Sequence, residues 1–216
     1  ALTDTQIGLL MGVAFSIFYA TMGIPLGWLA DNMKRKTLVA VGMFVWSAAT
    51  CFSGYAKSFV GLFAARIGVG AGEATLSPCA ISLISDLFPE EKRGRAIALY
   101  SSALSIASAT AFYLGGQILT WANSTDTSGM FLISELKPWQ IVFVVVGAPG
   151  VILSFFMLLV KEPKRQIQRA KDETAISFLK TVNYYKNNLG SFLGISLLVG
   201  VMTTIAYAQF FSTSLF

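Results

Sequence analysis

Residues 27–55 read GWLADNMKRKTLVAVGMFVWSAATCFSGY. The first ten make a short turn around Asp31 that runs into Lys34, Arg35 and Lys36. The rest, Thr37–Tyr55, carries no charged residue. As a helix rising about 1.5 Å per residue, such a stretch nearly matches the ~30 Å hydrocarbon depth of a bilayer. Cations abutting a charge-free run of that length mark a transmembrane helix whose basic end lies in the cytoplasm.

Five more apolar stretches flank this one: Ile7–Ala30, Ser58–Ile84, Ala96–Trp121, Pro138–Val160 and Gly190–Phe211. Each is expected to be a helix, because a segment in lipid must satisfy its backbone hydrogen bonds internally. Their many Gly, Ala and Ser residues suit close helix packing, and the period-2 alternation of a membrane barrel is absent. Composition agrees: 55% of the chain is hydrophobic and 12% charged, against about 25% charged in soluble domains, and mean hydropathy is +0.66. The fold class is an all-α polytopic membrane protein with six transmembrane helices.

The connections alternate in charge. Thirteen of the sixteen Lys and Arg residues fall in the first, third and fifth, which hold DNMKRK (31–36), FPEEKRGR (88–95) and the Lys- and Arg-rich 161–186. These are the cytoplasmic ones by the positive-inside rule, so the net charge of +5 reports topology, not nucleic-acid binding. The chain then starts outside, without initiator methionine or signal peptide, and stops directly after an apolar segment. A helix before Ala1 and more after Phe216 are expected. In the fifth connection Ile176, Leu179, Val182 and Tyr185 share one face, as in an amphipathic helix at the inner surface. The expected organisation is a bundle over residues 1–160, a linker over 161–189 and the first helix of a second bundle over 190–216.

There is no histidine, which removes His-based acid–base catalysis and His metal sites. Cys51 and Cys79 lack metal-ligand spacing and are expected near opposite faces, as small apolar filler. Neither the residue constellation of a membrane enzyme nor the charge ring of a channel is present. No cofactor and no metal are implied.

Two ionisable residues stand inside the third stretch, in ARIGVGAGEATLSPCA (65–80). Counted from Ser58, Arg66 lies in the outer half and Glu73 near or past the middle. Seven residues apart, they share a helix face, with an axial separation of about 10 Å. Arg66 leans toward the helix N-terminus, away from Glu73, so a direct bond is strained and a partner on another helix is expected for Glu73. Charge at this depth is costly unless it faces a wet cavity, and is functional by default. Arg66 suits bidentate binding of an anionic group; Glu73 suits proton exchange as the cavity opens to either side. A purely structural ion pair is the competing reading. Gly68, Gly70 and Gly72 read as close helix packing, and Pro78 is expected to bend or loosen the helix.

At the cytoplasmic face, Asp31 ends a helix, where the dipole disfavours an anion. It needs a donor, and Arg35, Arg93, Arg95 or another helix N-terminus can serve. With Gly27 in the turn, this reads as a latch that holds one conformation.

GWLADNMKRK resembles the signature loop between the second and third helices of the major facilitator superfamily. Gly27, Leu29, Ala30, Asp31, Arg35 and Lys36 match that pattern, while Asn32 and Lys34 replace its Arg and Gly. FPEEKRGRA (88–96) is similar to the family's loop between helices four and five, and PWQIVFVVVGAPG (138–150) with the following KEP to its sixth helix and exit. The resemblance makes the six segments helices two to seven of twelve. DTQIGLL (4–10) and RIGVGAGEA (66–74) are similar to the Spinster-like subgroup. That implies a proton-coupled carrier of a lysophospholipid or sphingosine phosphate, with Arg66 and Glu73 in substrate binding, Glu73 in proton coupling and an acidic partner on helix one. The same Arg-to-Glu spacing also resembles the organic-anion symporters that move sugar acids. Drug/proton antiporters carry Gly-Pro-x-x-Gly-Gly in helix five; AFYLGG (111–116) has Ala111 and Phe112 instead. The resemblance further implies a monomer in the inner membrane of a bacterium, with membrane lipids and protons as its other partners.

Overall fold

The computed structural model describes residues 3–125, 127, 129–165 and 183–213. Every regular element among them is helical: α1 Asp4–Gly8, a π turn Leu9–Val13, α2 Ala14–Asn32, α3 Arg35–Tyr55, α4 Phe59–Glu73, α5 Leu76–Leu87, α6 Glu90–Ser124, α7 Pro138–Met157 and α8 Leu189–Thr213.

Local sequence places the helix starts. Thr3 and Gln6 cap α1 reciprocally, and the Ser58 hydroxyl accepts from the Gly61 amide at the start of α4 (3.2 Å). Pro89 precedes α6, with Glu90 and Glu91 in a first turn that favours acids. Pro138 occupies the first turn of α7, where its missing N–H costs nothing.

Four of these helical spans are long and apolar enough to cross a membrane: Arg35–Tyr55, Phe59–Leu87, Glu90–Ser124 and Pro138–Met157. The first expected span is distributed over α1, the π turn and α2, with Pro25 inside α2. The sixth is α8, in which Leu189–Ile205 forms a shorter apolar helix. The fourth span is longer than its apolar core: α6 begins at Glu90 rather than Ala96, because Glu90, Glu91, Lys92 and Arg93 favour helix and Pro89 presets the turn.

The chain divides into two compact units, Ala1–Arg165 and Gln166–Phe216. In the first, α3 lies between α4 and α7, and α2 packs on α4. Small residues let these helices approach. A Cβ on Gly72 would meet the Trp46 amide nitrogen at 2.7 Å and the Gly42 carbonyl at 2.8 Å, both on α3; one on Gly70 would meet the Phe15 carbonyl of α2 at 2.6 Å. Gly54 and Gly147 close the α3–α7 seam, against Gln140 and Cys51 respectively. The glycine run of α4 is thus a packing surface for α3 and α2, as the spacing indicated. Residues 101–111 of α6, rich in Ser and Ala, are exposed throughout.

In the second unit, Tyr184 and Tyr185 pack their rings on Phe192 of α8, at 6.2 and 4.3 Å between centroids. The expected amphipathic helix around Ile176, Leu179 and Val182 lies outside the described residues.

Candidate functional site

The strongest polar assembly stands at the end of the first unit where α2, α5 and α7 finish and α3 begins. Arg35, in the first turn of α3, is 1% exposed. Its guanidinium pairs with Asp86 in the last turn of α5 and reaches Glu162 after α7 at 3.3 Å. It also donates to the Ser82 hydroxyl (2.8 Å) and the Pro163 carbonyl (3.4 Å). The Arg35 amide donates to the same Glu162 oxygen at 2.8 Å. The helix dipole opposes a cation at the start of α3 and an anion at the end of α5; side by side, each neutralises the other's misplacement. The second Glu162 oxygen is buried without a hydrogen-bond partner among the described residues.

The segment leaving α7 is strapped to the α2–α3 turn by reciprocal capping. Arg165 donates to the Ala30 carbonyl (2.6 Å), the Met33 carbonyl (2.7 Å) and the Asp31 carbonyl, closing the C-terminus of α2. Lys36 donates to the Leu158 carbonyl (3.0 Å), closing α7. A helix end leaves its last carbonyls without intrahelical partners, so each segment supplies what the other's helix lacks. Beneath lies an apolar cluster of Ala30, Leu38, Val39 and the fully buried Cys79.

Arg35, the expected donor, thus sits at the centre of this assembly on Asp86 and Glu162. Arg165, Asp86, Ser82 and Glu162 were missed by the sequence reading. Arg165 stands among the Lys and Arg residues of the fifth connection, whose charge speaks only to topology; Asp86, a lone acid ending an apolar segment, and the KEP exit were the available signals. Arg93 stays within its own connection, donating to the Phe88 carbonyl at 3.1 Å and approaching Glu90 at 3.6 Å. Arg95 is exposed. Gly27 lies in α2 with open space around it.

The second locus is Arg66 and Glu73 on α4. Arg66 is half-buried, and its guanidinium carbon lies 5.7 Å from the centre of the Phe143 ring on α7, a cation–π arrangement. Glu73 is exposed and is the last residue of α4. They form no ion pair within 4 Å among the described residues. The helix breaks at Ala74–Thr75, where Pro78 has no N–H to offer the Ala74 carbonyl and the Thr75 hydroxyl donates back to the Gly72 carbonyl (2.8 Å). Glu73 therefore sits at a helix end within the span Phe59–Leu87. One turn on, Ser77 and the Tyr19 hydroxyl of α2 share a hydrogen bond at 3.3 Å. Among the described residues no cluster of His, Cys, Asp or Glu is placed to hold a metal ion.

A helical bundle with apolar spans, a glycine-packed fourth helix and a charged clasp at one end defines a class of multi-pass membrane protein. The chain belongs to the Major Facilitator Superfamily, whose family model matches residues 1–216. Among curated relatives it is 28% identical over 188 residues to a "Probable L-galactonate transporter" of Escherichia coli K12, covering 87% of this chain and 38% of that protein. It is 32% identical over 156 residues to "Protein spinster" of Drosophila melanogaster, covering 72% of this chain and 24% of that one. A crystal structure of a bacterial homologue of the human lysosomal transporter Spinster, inward-facing and unoccupied, superposes with a TM-score of 0.64 at 32% identity, covering 86% of this chain and 42% of that one. The chain thus spans well under half the length of these relatives.

Proposed function

We propose that this chain is most of the first bundle and the start of the second in a secondary transporter working by alternating access. Residues 1–160 form that bundle, 161–189 the linker and 190–216 the first helix of the second bundle. The cargo is an amphipathic anion such as a lysophospholipid or sphingosine phosphate, moved at the expense of a proton gradient. Arg66 binds the anionic headgroup and Glu73 carries the coupling proton. The cytoplasmic assembly around Arg35 and the Asp31 turn is the latch that holds the inner face in one state; Gly27, Arg93 and Arg95 lie near this face outside its hydrogen bonds. The Glu162 oxygen left without a hydrogen-bond partner among the described residues supports a releasable clasp, since a fully satisfied buried network would be harder to open.

The observation that carries this reading is Arg66, a half-buried cation inside an apolar span, held over an aromatic ring and seven residues from a carboxylate at a helix break. An anion docking on Arg66 replaces lost hydration with bidentate hydrogen bonds. A second cargo, a sugar acid, is supported by the L-galactonate relative. A drug/proton antiporter is the less favoured third reading.

The test is uptake by the full-length protein in liposomes under an imposed inward proton gradient, with labelled lysophosphatidylglycerol and labelled galactonate compared. Gradient-dependent flux of the lysolipid supports the first reading. Flux of galactonate alone selects the second, and movement of neither overturns both.

A further inference from the structure

We propose that the groove between the end of α5 and the start of α6 binds an anionic phospholipid of the inner leaflet, separately from any transported cargo. The groove holds about 500 Å³. Ile84 and Phe88 form one wall, and Lys92, Arg95, Leu99 and Tyr100 on α6 the other. The spacing of the α6 residues puts them on one helix face. The wall is apolar apart from the two cations near one end and the Tyr100 hydroxyl.

No carboxylate lines the groove. Of the nearby acids, Glu90 approaches Arg93, and Lys92 and Arg95 form no ion pair among the described residues. The positive end of the α6 dipole adds to their potential. Two cations above an apolar trough, with Glu91 of the first turn of α6 in no ion pair with either, complement a phosphate followed by an acyl chain: Arg95 offers a bidentate fork and Lys92 a point charge. The length also fits. From Lys92 to Ala103, which ends the lining, α6 rises about 16 Å, close to the ~15 Å depth of one leaflet's hydrocarbon. A topological anchor needs only cations in the headgroup layer; the trough is what a bound chain adds.

The full-length protein, purified and stripped of lipid, would be offered phosphatidylglycerol or phosphatidylcholine of identical chains, and bound lipid read by native mass spectrometry. Lys92→Gln with Arg95→Gln is expected to lower phosphatidylglycerol adducts several-fold and leave phosphatidylcholine unchanged. Leu99→Asn, which keeps both charges, should lower them as well. Lys161→Gln with Lys164→Gln, removing the same charge from exposed positions outside the groove, should not. Unfolding midpoints of all variants would establish that they are folded. Equal loss in both double variants would make the effect general electrostatics and overturn the site. So would phosphatidylglycerol adducts unchanged in the groove variant, the outcome expected if protein from elsewhere in a longer chain fills the trough.

Discussion

Arg35 and Asp86 join the first turn of α3 to the last turn of α5, each at the helix end where the dipole opposes its own charge. The pair is nearly dry, with side chains 1% and 13% exposed. Breaking a buried pair costs about 3–5 kcal/mol; Glu162, 3.3 Å from Arg35, offsets part of that when Asp86 is the member removed. Arg35→Gln and Asp86→Asn are each expected to lower the unfolding midpoint in detergent markedly. The double variant should be less destabilised than the sum, because Arg35→Gln already removes the charge with which Asp86 pairs. Additive losses would show that the two do not act as a pair.

Cys79 lies fully buried in the apolar cluster beneath this assembly, so its thiol reports whether the clasp is shut. In a Cys51→Ser background, maleimide labelling of Cys79 should be slow. Arg165→Ala frees the α2 carbonyls it caps, and charged hydrogen bonds of that kind are worth about 1.5–3 kcal/mol each. Labelling of Cys79 in that variant should rise several-fold. A rate unchanged from the parent would mean that Arg165 does not hold the end closed.

Gly72 and Gly27 are both helical glycines with opposite surroundings. A Cβ at Gly72 meets α3 backbone closer than any real Cβ sits, whereas one at Gly27 meets nothing within 4 Å. Gly72→Ala should destabilise by about 1–3 kcal/mol through overpacking. Gly27→Ala should stabilise by about 0.5–1 kcal/mol through helix propensity. Thermal unfolding of the two variants in the same detergent decides the sign. If the Gly27 variant loses stability instead, its open setting is filled in the whole protein.

The apolar segments and their charge alternation were legible from sequence because hydropathy and Lys/Arg placement act locally, residue by residue. The glycine face of α4 was legible for the same reason. The partners of Arg35 were not, because Ser82, Asp86 and Glu162 stand 47, 51 and 127 residues away along the chain, and only the packing of α3 against α5 and α7 brings them together. Arg93 and Arg95 looked equivalent to Arg35 as cations near a turn. The fold leaves both on the α5–α6 connection, one satisfied locally and one at the mouth of a groove. The break at Ala74–Thr75 was foreshadowed by Pro78, but that it would leave Glu73 as a helix-terminal residue depended on where the chain chose to interrupt its ladder.

Glu73 is proposed to carry the coupling proton while Arg66 holds the cargo. Full-length protein and its Glu73→Gln variant would be reconstituted in liposomes, and labelled lysophosphatidylglycerol followed in two modes: accumulation driven by an imposed pH gradient, and one-for-one exchange without a gradient. Loss of driven accumulation with exchange retained is the predicted result, since glutamine keeps the shape but cannot release a proton. Driven accumulation at the parental rate in the variant would remove Glu73 from the coupling role.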